Sequence, residues 1–219
     1  MTVTVIGDNT GDDYSGTEDS QIREFFNTTN YGSSATQATT KWSSGDHTHL
    51  NLSFSGLSNI AASEVVSAAT VYMEVNSSTG TYALAFRRLL RDWVEAEVTW
   101  DIWKTSNNWT SGGALSDGND RSASKGVTAS LDNTTGYRAL TATQIKDDTK
   151  DFVDGTATNY GWHVERDDSG DDSTTKTWLS SNFNDGRRPY ISVTHAAAAG
   201  SRPQGPLGHP FYGPFGGPI

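Results

Sequence analysis

Cysteine is absent from all 219 residues, which removes disulfides, thiol nucleophiles and cysteine-ligated zinc from consideration. Long apolar runs are missing too, and none approaches the roughly 20 residues needed to cross a bilayer. The opening residues, MTVTVIGDNTGDD, hold neither the basic nor the apolar segment of a secretory leader, so none is expected. Basic residues are scarce. Sixteen Lys and Arg against 26 Asp and Glu leave a net charge of -10, the wrong sign for a surface that displaces counterions from phosphate or settles on anionic lipid. The one dense basic stretch, Arg87, Arg88 and Arg91, interleaves with Leu89, Leu90 and Trp93, as charge on a strand edge or loop does. Neither nucleic acid nor membrane is an expected partner.

Thr, Ser, Gly, Asn and Asp are plentiful while Leu, Glu, Lys, Met and Gln are sparse, a balance that favours short strands joined by polar turns. A chain of this length buries about 70% of its unfolded surface and needs no covalent staple. Short or alternating apolar runs predict strands over 2–6, 49–54, 70–75, 82–90, 160–166, 177–180 and 190–195. The segment 142–154 breaks this pattern. Ile145, Phe152 and Val153 share one side, Thr141 or Thr143 stands at its start and Gly155 closes it, which predicts one short helix plugging the end of a sandwich. The expected fold class is all-β: a jelly-roll-like sandwich of two antiparallel sheets over 1–195, with one short helix.

Residues 196–219 differ in kind. Five of the six prolines lie there, and Pro and Gly at that density leave an extended, polyproline-like arm with a reach on the order of 70 Å. Phe211, Tyr212, Phe215 and Ile219 make the arm adhesive. Docking on a neighbouring subunit is the expectation, and folding back on its own domain is the alternative.

Several motifs, in order, resemble one family. They are Asp19-Ser20-Gln21-Ile22-Arg23-Glu24 with Asn30-Tyr31-Gly32; Leu52 to Leu57 with Val66 to Val71; Trp93-Val94-Glu95-Ala96-Glu97-Val98-Thr99-Trp100, followed by Trp109 and Gly112-Gly113; Asn159-Tyr160-Gly161-Trp162; and Ser180-Ser181 with Arg187 to Val193. Over about residues 13–195 the chain resembles the DNRLRE-type modules, also called disaggregatase-related carbohydrate-binding modules. The resemblance implies a jelly-roll sandwich of extracellular, cell-surface and phage structural proteins, sometimes polysaccharide-binding, with no catalytic residues. The solitary module and the Pro/Gly arm depart from the family's usual setting.

Candidate chemistry is thin. Trp93, Trp100 and Trp162 read as core, whereas Trp42, Trp103 and Trp109 lie in loop-like sequence and are the candidates for stacking on a sugar ring. In a strand Glu95 and Glu97 would share a face, yet they lack the opposed placement of a glycosidase pair, so Glu95 reads as a hydrogen-bonded residue capping the following turn. Asp167, Asp168, Asp171 and Asp172, like the acidic stretch 8–13, offer hard oxygens in a Gly-containing loop, which suits calcium. His47 and His49 would point the same way from a strand, as metal ligands can, but no third ligand is evident. No cofactor is expected, with calcium kept as the alternative. The function expected is that of a non-enzymatic, multi-copy virion protein, a bacteriophage capsid decoration (cement) protein or else a tail or fibre component. It would sit on the virion surface against capsid or tail subunits, as a homo-oligomer or in many copies. The alternative is an extracellular, polysaccharide-binding module of a secreted enzyme or adhesin.

Overall fold

A computed structural model describes residues 1–7, 16–41, 45–167, 174–184 and 186–198. Strand outweighs helix, 45% to 11%, and the class is all-β. The strands are β1 (Thr2–Ile6), β2 (Thr17–Arg23), β3 (Thr36–Lys41), β4 (His47–Phe54), β5 (Glu64–Ser78), β6 (Leu84–Arg88), β7 (Ile102–Lys104), β8 (Asn107–Asn108), β9 (Gly126–Val127), β10 (Gly136–Leu140), β11 (Trp162–Arg166), β12 (Thr175–Leu179) and β13 (Tyr190–Ala197). The helix α1 (Thr143–Asp154) falls between β10 and β11.

The ladder runs β1-β13-β5-β12-β3-β4-β11-β6-β9, with β10 on the other side of β5 and β2 on the other side of β4. All these pairings are antiparallel. The two layers are joined through β5, whose first half pairs with β13 and whose second half pairs with β12. The sheet curls until Ile6, Val71 and Val193 on one side meet Leu50, Phe86 and Val164 on the other in one core. A bulge keeps that geometry. Thr194 pairs with Ala68 and His195 with Val66, so Ser67 is the extra residue, and Val66 turns inward although Ala69, Val71 and Met73 set the opposite parity.

The helix packs against β5 and the turn at Ser55–Asn59. Ile145, Phe152 and Val153 are buried as the 3.6 period requires. Its C-terminus closes on Gly155 at φ 71°, a left-handed position that suits glycine. Its N-cap is Ala142, with no side-chain capping bond, so neither Thr141 nor Thr143 caps it. Inside the helix, Asp148 accepts from Trp162 Nε1 at 3.0 Å and from Gln144 Nε2 at 2.7 Å, which ties α1 to β11.

A second layer lies on the other face of β2, β4, β6 and β11. Trp93, Val98, Trp100, Trp109 and Ala114 come from the irregular stretch 91–121 and pack on Ile22 and Leu89. The hairpin β7–β8 belongs to this cover. Gly113, at φ 75°, lies flat on the Trp100 ring, where a Cβ would come within 2.6 Å.

Candidate functional site

The tryptophans divide. Trp93, Trp100 and Trp162 are buried. Trp109 is also buried, at 5% exposure, with its Nε1 donating to the Thr99 carbonyl at 3.0 Å. Its loop folds back under Trp100, so its ring offers no face to a sugar and leaves the set of stacking candidates. Trp103 is half-buried against the same cluster, with Lys104 Nζ 4.6 Å from its ring centre. Trp42 lies outside the described residues, as do Asp168, Asp171, Asp172, Phe211, Tyr212, Phe215 and Ile219. Asp167, the described member of the acidic loop, pairs with Lys125 at 2.5 Å. Each arginine of the basic stretch meets a carboxylate: Arg87 with Glu165, Arg88 with Asp151 and Arg91 with Asp120.

Glu95 and Glu97 are not on a strand, so the shared-face argument does not apply to them. Glu95 Oε1 accepts from the Asp19 amide at 3.0 Å and from Ser181 Oγ at 3.3 Å. Glu97, not Glu95, holds the following turn, accepting from the Thr105 amide at 2.7 Å. Asp19 in turn accepts from the Ser181 amide at 2.8 Å and from Gln37 Nε2 at 3.3 Å. Burial pushes the Asp19 carboxyl up to about 7, against the pull of the Ser181 and Gln37 bonds, and burial also raises Glu95. The cluster therefore stitches β2, the Trp93–Trp100 stretch and the loop after β12 together.

Two Asn-Tyr-Gly motifs work as matching clasps. Asn30 Oδ1 accepts from the Gly32 amide, and Asn159 Oδ1 from the Gly161 amide, both at 3.1 Å. Asn30 Nδ2 then donates to the carbonyls of Glu95 and Val98 at 2.7 and 2.8 Å, and Asn159 Nδ2 to that of Phe54 at 2.9 Å. Each Asn satisfies its own turn and a remote stretch of backbone, the irregular chain at Glu95 and Val98 for Asn30 and the end of β4 for Asn159. Glycine follows because a Cβ at either site would strike a backbone carbonyl oxygen within 2.1 Å.

No protein-family model matches the chain, and no curated protein matches it either. The residues themselves carry the argument.

The most reactive-looking group sits between the sheet and its tryptophan cover. On β4 and β11, Asn51 lies opposite His163 in the ladder, which leaves His49 and Glu165 on the same face one step along. Asn51 Oδ1 and His163 Nδ1 are 3.1 Å apart. His49 hydrogen-bonds the Gly113 backbone and packs on Trp100 at 5.3 Å and His163 at 4.8 Å between ring centres. Glu165 is gripped by Arg87 Nε at 3.0 Å and Arg121 NH1 at 2.8 Å. Burial holds His49 down at about 4 and His163 well below the usual imidazole range, so both rings are neutral. Burial raises Glu165, but His49 once protonated in acid, with Arg121 and Arg87, outweighs that and holds the carboxyl below its usual range. A cleft of about 410 Å³, lined in part by His47, His49, Lys125 and Glu165, opens this layer to solvent. His47 and His49 do share a face, with rings stacked 6.0 Å apart, though His47 turns to Glu24 at 3.3 Å.

Proposed function

We propose that this chain is a non-enzymatic structural protein of a virion, a capsid decoration (cement) protein in preference to a tail or fibre component, acting in many copies on the particle surface. The observation that carries this reading is the outer edge of β1. That strand ends the ladder, so among the described residues its outward N–H and C=O groups face no strand. Val3 and Val5 on it expose 61% and 45% of their surface, and Val65 on β5 exposes 49%. Free-standing proteins blunt such edges with charge, proline or a cover; assemblies use them to add a strand from a neighbour. Glu95 and Glu97, the carboxylates nearest to a catalytic pair in sequence, are each spent on backbone amides, which fits a scaffold.

The arm enters this reading on its sequence alone. Phe211, Tyr212, Phe215 and Ile219 would contribute about 1.5–3 kcal/mol each on burial, repeated by symmetry over the shell. Immunogold labelling of source particles with antibody to the chain tests the proposal, together with rebinding of the Val3→Lys, Val5→Lys double variant to particles stripped of the protein. Label on the capsid and weakened rebinding of a stably folded variant are the expected results. Unlabelled particles, with binding on a glycan array that Trp103→Ala abolishes, would replace this reading with the carbohydrate-binding one.

A further inference from the structure

The layer between sheet and tryptophan cover contains two buried imidazole nitrogens with no partner among the described residues: His49 Nδ1 and His163 Nε2. Buried polar atoms are rarely left so. The other nitrogen of each ring is engaged. His163 Nδ1 lies 3.1 Å from Asn51 Oδ1; as the donor there, it leaves the Nε2 lone pair bare. His49 Nδ1 is the unpartnered atom of its ring, and Nε2–H as the donor toward the Gly113 backbone leaves the Nδ1 lone pair bare. Metal-ligating histidines are oriented in this way, with the far N–H given to a carbonyl or carboxamide oxygen. The third group is Glu165, whose Oε2 lies 3.9 Å from His163 Nε2. One ligand atom from each of His49, His163 and Glu165 falls within 4.8 Å of the others.

We propose that His49, His163 and Glu165 bind a divalent transition-metal ion of the zinc class, with a fourth position open to water from the cleft. Two imidazoles and one carboxylate suit zinc and its neighbours, whereas calcium and magnesium take oxygen donors. Tetrahedral zinc with bonds of 2.0–2.1 Å separates its donors by roughly 3.4 Å, so the widest pair closes by a little over an ångström. The adverse charge is local and partly answered: Arg121, on Glu165, also pairs with Asp117 at 2.8 Å. A carboxylate oxygen has a second lone pair for the ion while keeping the guanidinium. The consequence is a cross-link in a chain without cysteine. Through Glu165–Arg121 and His49–Gly113 the ion would fasten β4 and β11 to the loop that covers them.

The test uses the full chain, purified without a metal-affinity tag, stripped with chelator and titrated with Co²⁺ and Zn²⁺. The expected result is one equivalent of cobalt with visible d–d bands of low coordination number, displaced by zinc, and a higher melting temperature with either ion. His163→Gln abolishes the bands, and Asn51→Ala, which removes the orienting carboxamide but no ligand, weakens affinity by about 10–100-fold. Circular dichroism of the metal-free variants separates loss of a ligand from loss of fold, and Glu165→Gln provides a second ligand test should His163→Gln fail to fold. Absence of the bands and of any thermal shift in the wild type overturns the proposal. So does binding that survives His163→Gln but is lost in His47→Ala, which would place the ion at the cleft surface.

Discussion

Asp19 has its carboxyl between the Ser181 amide and the Gln37 carboxamide, yet burial outweighs both bonds and pushes it up to about 7. Its folded value is above its unfolded one. The unfolded chain therefore releases this proton first as pH rises, and the fold loses stability between about pH 4 and 7, by on the order of 4 kcal/mol if the whole shift is expressed. Below pH 4 the carboxyl is protonated in both states and this cost is absent. Asp19→Asn mimics the protonated form. Urea denaturation at successive pH values is expected to show wild-type stability falling across that window and the variant nearly flat, with the two converging at the acid end. Lys176 solves the opposite problem. Its fully buried ammonium donates to Ser78 Oγ, the Gly80 carbonyl and the Asp132 carbonyl at 2.7, 2.7 and 2.6 Å, and burial still brings it down to about 8.

The two Asn-Tyr-Gly clasps fasten different segments, one the irregular Trp93–Trp100 stretch and one the end of β4. Asn30→Ala and Asn159→Ala each strand buried carbonyls, at about 1–3 kcal/mol per site. The clasps share no partner, so the double variant is expected to lose about the sum, which a denaturant double-mutant cycle measures directly. Strands with apolar alternation were legible in the sequence: β1 coincides with the expected 2–6, and β4 and β11 differ only at their ends. β2 and β3 were not. Their buried residues are Thr17, Asp19, Ser20, Gln37, Thr39 and Thr40, with Ile22 the one apolar member, so the pair carries almost no hydrophobic signal. β5 was visible only over 70–75, since the bulge at Ser67 breaks its alternation. Trp93 and Trp100 were legible as core, but the stretch between them was not legible as irregular chain. Of the metal-like cluster only His49 was legible, paired with His47 outside it, because 112 residues separate Asn51 from its partner His163 and only the β4–β11 register brings the two strands together.

The molecule presents a large curled sheet with a protected interior, and at one end of its ladder stands β1, which carries no charged residue and pairs on one side only among the described residues. In a multi-copy shell that edge and the arm beyond β13 would be the parts that change on assembly, while the doubly layered region around β4 and β11 would not. The most direct measurement is hydrogen–deuterium exchange of the full chain, free and mounted on the particle proposed for it. Protection appearing on assembly in residues 2–6 and 211–219, with 47–54 and 162–166 equally slow in both states, is the predicted result. The same exchange in residues 2–6 and 211–219 whether the chain is free or mounted would contradict the assembly role.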